Sequence, residues 1–277
     1  MRKFTFALLA VLLMFAVSSA GIIDGKQANP CNRGNNSPPL DEIVEFNPVW
    51  DKNIQHFFPD GGTAISIAYD GDYYYIVNGE CDPEDGVLMI FDLDGNFIRT
   101  IETGLSARSI FYDSREYIDG EIYIKDNSRN LYAIDVETGN KWIHLADVFQ
   151  ENESKVAFSS SDEVVYEMCS GDVYGIRLYN GGISRTLHGL RHGSGNAEYA
   201  IACNREQLLT WDDSYVYAYS FSGTLVDSAA LPESFYDYSL SYAGNRLWAS
   251  EVGYNDVWTW HGASGFTPYN LGFVGWS

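Results

Sequence analysis

The feature that most constrains this chain is a four-strand phrase that occurs five times. Each copy has an apolar strand, a tight turn, a second strand rich in Tyr or Trp, a third strand, a turn on Gly and a fourth strand. The turn glycines, spaced by 44, 43, 41 and 42 residues, are Gly95, Gly139, Gly182, Gly223 and Gly265. A four-stranded propeller blade takes about 40 to 45 residues. The repeat therefore predicts an all-β fold, a single β-propeller of four-stranded antiparallel blades.

The number of complete phrases favours five blades, with six as the alternative. The stretch VWDKNIQHFFPDGG, residues 49–62, precedes the first phrase and resembles a fourth strand that runs into a first strand. It could close the ring against the last blade or belong to a degenerate sixth blade. We expect residues 21–58 to form an arm with a possible ring-closing strand, and residues 59–277 to form the propeller.

The first twenty residues predict export. Arg2 and Lys3 form a positive start, an apolar run extends from Phe4 to Val17, and small residues follow at 18–20. An uncleaved membrane anchor is the alternative, because the run is close to spanning length. The polar sequence beyond favours cleavage, which leaves no membrane span. No Cys follows Ala20, so we expect a secreted, periplasmic or cell-surface protein without a lipid anchor.

The charge balance narrows the range of partners. The chain has 17 Lys and Arg against 38 Asp and Glu, a net charge of −21, which becomes −23 when Arg2 and Lys3 are removed. Nucleic-acid binding needs clusters of Lys and Arg, so nucleic acid is not expected as a partner. Basic proteins and divalent cations remain compatible with this charge.

The cysteine pattern suggests disulfides. An even number of cysteines in an exported chain is typical of disulfide pairing, and here they are Cys31, Cys81, Cys169 and Cys203. We prefer pairs between near neighbours in sequence, which are Cys31–Cys81 and Cys169–Cys203. Buried thiols are the alternative. No pair has the CxxC spacing of a zinc site or redox dithiol.

One stretch, NLYAIDVETGNKW at 130–142, resembles the repeat of the quinoprotein-type propellers that include pyrroloquinoline-quinone dehydrogenases. The matching residues are Ala133, Asp135, Thr138, Gly139 and Trp142. Here the Trp follows the Gly by three residues, whereas the family usually has four. The family's dehydrogenases are longer and carry adjacent cysteines, which this chain lacks. The resemblance thus implies the fold or a scaffold, without a quinone cofactor, and we expect Trp142 to be mostly buried against a neighbouring blade.

Three acidic residues are candidates for catalysis. Asp70, Asp113 and Asp162 recur near the end of the first strand in the first three phrases. A glycosidase needs two converging carboxylates, and five-bladed propellers occur among glycoside hydrolases. A residue that is needed for a turn recurs at the same place in each copy of the repeat, whereas a catalytic residue is expected to depart from the repeat. Asp also favours turns, because its carboxylate binds backbone amides. We therefore interpret all three as turn residues.

Other side chains are candidates for metal binding. The loop NGECDPEDG concentrates carboxylates that suit Ca²⁺, namely Glu80, Asp82, Glu84 and Asp85. Their order does not fit an EF-hand, so a solvated acidic loop is preferred and Ca²⁺ stays a possible ligand. His188 and His192 are flanked by glycines, which argues against a preformed metal site.

Four tryptophans in the later phrases are candidates for ligand stacking: Trp211, Trp248, Trp258 and Trp260. They could offer a platform for a sugar or a peptide. Large aromatic side chains bury much area between blades, so we prefer core packing.

The sequence thus favours an exported, non-enzymatic propeller that binds an extracellular protein, a glycan or a cell-surface component. No cofactor is expected. The alternative is an extracellular carbohydrate-active hydrolase or lyase that uses the three aspartates.

Overall fold

The strands account for most of the described chain. The computed structural model describes residues 64–78, 86–92, 96–114, 122–193, 199–204, 207–212, 214–230, 238–243, 246–251, 257–260 and 266–268. These residues form five four-stranded antiparallel sheets, each built from consecutive strands. Several predictions fall outside the described residues. They concern the export signal at 1–20, the arm at 21–58, the cysteines Cys31 and Cys81, and the acidic loop at 80–85.

The five sheets are the blades, numbered in chain order. Blade 1 contains β1 (Ala64–Tyr69), β2 (Tyr74–Asn78), β3 (Val87–Phe91) and β4 (Phe97–Glu102). Blade 2 contains β5 (Ala107–Tyr112), β6 (Ile122–Asp126), β7 (Leu131–Ile134) and β8 (Lys141–Leu145). Blade 3 contains β9 (Lys155–Ser159), β10 (Val164–Cys169), β11 (Asp172–Arg177) and β12 (Ile183–Leu187). Blade 4 contains β13 (Ile201–Cys203), β14 (Gln207–Trp211), β15 (Tyr215–Ser220) and β16 (Leu225–Ala230). Blade 5 contains β17 (Tyr238–Ala243), β18 (Arg246–Glu251), β19 (Val257–Trp260) and β20 (Phe266–Pro268).

The first strand of each blade forms the inner wall of a ring. In this ring β1 lies against β5, β5 against β9, β9 against β13, β13 against β17, and β17 against β1. Each blade takes its four strands from one phrase, and the ring closes by contact between blades 1 and 5. The predicted all-β propeller with four-stranded blades is confirmed, and the described residues form five blades.

The apolar core lies between the blades. Alternate side chains of a strand point to opposite faces of its sheet. In β2, Ile76 packs in a cluster with Ala243 of blade 5, whereas Tyr75 and Val77 pack in a cluster with Ile110 of blade 2. β2 is therefore buried on both faces, which explains why its sequence is apolar almost throughout.

Serine side chains join neighbouring inner strands. The backbone N–H of Ile110 donates to Ser66 Oγ at 3.2 Å, and the N–H of Val156 donates to Ser109 Oγ at 2.8 Å. Inner strands of different blades belong to different sheets, so backbone ladders do not connect them. The serines supply acceptors for buried amides that point between blades.

Turn glycines pack against the preceding blade. Gly139, Gly181 and Gly223 have φ of +76°, +71° and +82°, the left-handed region that favours Gly. In blade 3 this residue is Gly181, and not Gly182 as the sequence suggested; it follows Gly139 by 42 residues and precedes Gly223 by 42. A Cβ on these three glycines would lie 3.3 Å from Ile101, 2.7 Å from Val148 and 3.5 Å from Leu187, respectively. The glycines thus allow close approach between blades.

Candidate binding surface

The central channel is nearly filled by side chains. Residues from all five inner strands line a cavity of about 70 Å³, among them Ile67, Phe111, Ala157, Ile201 and Tyr242. Small-molecule pockets usually measure roughly 300–1,000 Å³. This cavity has room for a few water molecules and is too small for a typical small-molecule ligand.

Asp70 is held in the turn between β1 and β2. Its Oδ1 accepts hydrogen bonds from the backbone N–H groups of Asp72 at 2.7 Å and Tyr73 at 2.8 Å. Its Oδ2 accepts from the hydroxyl of Tyr75 at 2.6 Å. Asp212 makes the same three kinds of contact in blade 4, with the hydroxyl of the Tyr five residues later at 2.5 Å. Asp70 therefore has the contacts of a turn residue.

The other two aspartates lie at the corresponding ends of β5 and β9. Asp113 is only 1% exposed, which keeps its carboxylate away from solvent. Asp162 accepts a hydrogen bond from the Tyr166 hydroxyl at 2.7 Å and forms an ion pair with Arg185 at 3.2 Å. Because the inner strands lie side by side, the three aspartates follow equivalent ends of three neighbouring strands. The carboxylates of Asp70 and Asp162 bind residues of their own blades.

The tryptophans divide into two groups. Trp211 on β14 is 1% exposed, so its ring packs inside the propeller and offers no stacking surface. Trp248 lies on β18, and Trp258 and Trp260 lie on β19. The side chains of these three lie outside what the structure describes.

The described cysteines and histidines make local contacts. Cys169 and Cys203 are thiols, so the predicted Cys169–Cys203 disulfide is wrong. Cys169 is the last residue of β10 in blade 3, and Cys203 is the last residue of β13, the inner strand of blade 4. Nearness in sequence therefore does not bring the two thiols together. His188 Nδ1 lies 3.1 Å from Asp172, and His192 Nδ1 lies 2.8 Å from the Gly193 carbonyl. Within the described ranges, no three His, Cys, Asp or Glu side chains gather as metal ligands would.

A buried charge cluster holds the connection from blade 2 to blade 3. Lys125 on β6 is fully buried, and its ammonium donates to the carbonyls of Glu151, at 3.0 Å, and Asn152. Glu167 on β10 is also fully buried and accepts from the backbone amides of Gln150 at 2.8 Å and Glu151 at 3.1 Å. Lys125 thus binds two carbonyls of the segment 150–152, and Glu167 binds two of its amides.

Burial governs the titration of this cluster. Loss of hydration lowers the pKa of Lys125 to about 8, against the attraction of Glu167, which raises it. Burial raises the pKa of Glu167, while hydrogen bonds from Ser154 and the backbone act in the opposite direction. The sequence contains a sign of this cluster that was not recognised as such. Lys125 lies within the apolar strand IYIKD, and Glu167 lies within VVYEMC.

The outer strands of the first four blades expose large apolar side chains. These residues, all near the beginning of a fourth strand, are Phe97, Ile98, Trp142, Ile143, Ile183, Leu225 and Val226. Single exposed apolar residues are common on soluble proteins, but these recur near the same point of the fourth strand in four blades.

Polar side chains fix these outer strands to the next blade. One side chain from each of β4, β8 and β12 donates to a carbonyl in the turn before the next fourth strand. The pairs are Arg99 with Val136, His144 with Leu178 at 2.8 Å, and Arg185 with Phe221 at 3.1 Å. The exposed apolar residues of β4, β8 and β12 therefore lie on strands that are held in place.

Trp142 is 37% exposed, so the prediction that it is mostly buried is wrong. In β4, β12 and β16 the ladder is irregular just after the turn, which adds a residue there. In β8 the extra residue is His144, and the residues before it pair without interruption. Trp142 pairs with Ala133, at the rung where blade 1 has Arg99. Among the described strands β8 is the last of its sheet, so part of the Trp142 side chain stays in solvent.

Three exposed side chains lie around the His144–Leu178 hydrogen bond. Trp142 and the 51% exposed Ile143 immediately precede His144, and the 67% exposed Tyr179 follows Leu178. We name Trp142, Ile143 and Tyr179 the rim patch; Trp142 and Ile143 are consecutive on β8 and therefore face opposite sides of the blade.

Carboxylates lie on the turn that leads into the rim patch. Asp135 and Glu137 occupy the turn between β7 and β8. Hydrogen bonds from Thr138, through its hydroxyl and its backbone N–H, lower the pKa of Asp135 and keep it ionised. The Arg99 guanidinium donates to the carbonyls of Val136 and Glu137 in the same turn, so charges of both signs lie beside the patch.

Comparison with solved structures finds likenesses of fold. A chain in the crystal structure of a nidogen/laminin complex is 13% identical with a TM-score of 0.49, over 78% of this chain and 84% of that chain. BamB from Moraxella catarrhalis is 15% identical with a TM-score of 0.36, over 73% of this chain and 62% of its own length. No model of a protein family matches the sequence, and no curated protein does. None of the described residues forms a helix with the length and apolarity that crossing a membrane requires.

Proposed function

We propose that this protein is an exported, non-enzymatic propeller that binds another protein through the outer strands of its blades. The observation that carries the proposal is the exposed apolar set on four successive fourth strands. Removing such side chains from water supplies the main favourable free energy of protein association.

The interior of the ring supports the same proposal. The cavity of about 70 Å³ is too small for a sugar unit and its surrounding water. The contacts of Asp70 and Asp162 belong to turns and ion pairs inside the fold. The net charge of −21 favours association with a partner whose surface is basic.

The test is cross-linking of the purified full chain to proteins of the native extracellular fraction, with identification by mass spectrometry. The matched variant carries Ile98→Lys, Ile143→Lys, Ile183→Lys and Val226→Lys together. We expect a saturable protein partner that this variant loses by at least tenfold in affinity. Equal binding by a folded variant would overturn the proposal.

A glycan array and a glycan-cleavage assay separate the other two classes of function. Binding of a glycan in place of a protein contradicts the proposal. Cleavage of a glycan that Asp70→Asn or Asp162→Asn abolishes, with the fold retained, would establish the hydrolase or lyase alternative instead.

A further inference from the structure

We infer that Asn152 is an acceptor for an N-linked glycan, and that the glycan is attached before blade 3 folds. Asn152, Glu153 and Ser154 form the motif Asn-x-Ser, whose middle residue is not Pro. This motif marks N-glycosylation in an exported protein when it lies on a surface loop. A second such motif, at Asn35, lies outside the described residues. The inference rests on the export that the proposed function includes, and it adds a modification site between blades 2 and 3.

The connection between blades 2 and 3 presents Asn152 to solvent from a fixed backbone. The buried residues Phe149 and Ser154 anchor the segment on either side of it. The carbonyl of Asn152 accepts a hydrogen bond from the Lys125 ammonium. The residue is exposed, and its carboxamide makes no hydrogen bond to any residue that the structure describes. A bulky substituent on the carboxamide nitrogen would therefore displace no hydrogen bond among these residues.

The residues beside the acceptor are polar. Gln150 and Glu153 are exposed, and the segment 150–154 contains no apolar side chain. The carboxylate of Glu153 forms an ion pair with the buried Arg108 of β5 at 2.6 Å, which holds the middle residue of the motif against blade 2. The motif therefore lies on an ordered, hydrophilic surface loop, the setting in which an attached glycan stays in solvent.

The modification transfers an oligosaccharide from a lipid-phosphate donor to the side chain of Asn152. A bond forms between Nδ2 of Asn152 and the anomeric carbon of the first sugar. The bond from that carbon to the phosphate oxygen breaks, and the lipid phosphate leaves with the electron pair. Nδ2 gives up one proton to a base of the transferase, so no oxidation or reduction takes place.

The burial of Ser154 determines when this transfer can occur. Ser and Thr, the residues allowed at the third position of the motif, share a hydroxyl that the transferase has to reach. In the folded protein Ser154 is fully buried, and its hydroxyl donates to Glu167 on β10 at 2.6 Å and to the Glu151 carbonyl at 2.8 Å. Glu167 follows Ser154 by 13 residues, so the contact forms only once blade 3 is folding. The glycan is therefore attached to the chain before that step.

The first experiment maps the mature protein from its native extracellular fraction by mass spectrometry. Trypsin releases residues 142–155 as one peptide, in which Asn152 is the only asparagine. An amidase that removes N-glycans in heavy-oxygen water converts a glycosylated Asn to a labelled Asp. We expect the label on this peptide and on the same peptide of Ser154→Thr, which keeps the motif. Asn152→Gln should lose the glycan.

An unmodified Asn152 in the mature protein would overturn the inference and leave the proposed function in place. A chain found only inside the cell would contradict export, and with it both proposals. Glycan that persists in Asn152→Gln on the peptide 142–155 would place the modification on another residue and would also overturn the inference.

The second experiment tests the order of events with a purified transferase and its lipid-linked oligosaccharide. The substrate is the folded, glycan-free full chain extended at its C-terminus by a second copy of residues 149–155. We expect the extension to be modified at least tenfold faster than Asn152 in the connection, because its Ser hydroxyl is accessible. Equal rates at the two copies would show that the folded connection is accessible, and would overturn attachment before folding.

Discussion

Ser241 Oγ lies 2.9 Å from Ser66 Oγ, so a hydrogen bond joins blades that are 175 residues apart in sequence. Ser241 Oγ also accepts the backbone N–H of Ile67 at 3.2 Å. Both serines are buried and lie on the inner strands β17 and β1, where the ring closes. The contact repeats, at the closing interface, the one that Ser66 makes with Ile110 between blades 1 and 2.

Ser241→Ala should lower the free energy of unfolding by about 1–3 kcal/mol, because the amide of Ile67 stays buried without its acceptor. The matched control is Ser239→Ala on the same strand. Ser239 is equally buried, and its hydroxyl has no hydrogen-bond partner among the described residues. Urea denaturation measures both variants. Equal losses in the two would show that the Ser241 contact does not stabilise ring closure.

Gly181→Ala should destabilise more than Gly189→Ala, although both glycines have φ near +70°. At Gly189 an added Cβ meets nothing within 4 Å, so the substitution costs only the left-handed backbone, about 1–2 kcal/mol. At Gly181 the Cβ would lie 2.7 Å from a Val148 methyl, so either the turn or the connection that carries Val148 has to move. Thermal unfolding of the pair gives the difference, and equal melting temperatures would contradict a role in interblade packing.

Lys125→Met should change how stability depends on alkaline pH. The pKa of Lys125 is about 8 in the folded protein, below its ordinary 10.5. Between these values the unfolded chain binds more protons, so this residue makes the folded state more stable as pH rises. The stability of the unsubstituted protein relative to Lys125→Met should therefore rise between pH 8 and 10.5, by on the order of 3 kcal/mol. Denaturant titrations at several pH values measure it, and a constant difference would contradict it.

Cys169 should react slowly with iodoacetamide at pH 8 in the folded protein. Burial, together with a hydrogen bond to Glu151, raises the pKa of this thiol to about 12, so little reactive thiolate is present. Denaturation should expose Cys169 and Cys203 as alkylatable thiols without any reductant, which peptide mapping would identify. Recovery of a peptide linked through both residues would contradict the thiol state of the structure.

Local sequence pattern was enough to predict the propeller and its blades. Each phrase carries its own alternation and its own turn residues, and a blade forms from contiguous sequence, so the 42-residue period and the turn role of Asp70 could be inferred from the residues alone. Asp135 also behaves as the pattern suggested, with Thr138 donating to its carboxylate at 2.6 Å. Lys125 and Glu167 stand out in the sequence because each is a charged residue within an apolar strand. Nothing in the sequence indicated that both would bind the backbone of the connection at 150–152.

What the sequence by itself determined is thus the all-β class, the propeller and the composition of its blades, because these depend on contacts within about forty residues. The tertiary structure alone decided the exposure of Trp142, the thiol state of Cys169 and the serine contact that closes the ring. The reason is that the position of a bulge and the meeting of side chains from different blades depend on competition among strands distant in sequence. Moving the extra residue of β8 to His144 places Trp142 at the rung where blade 1 has Arg99.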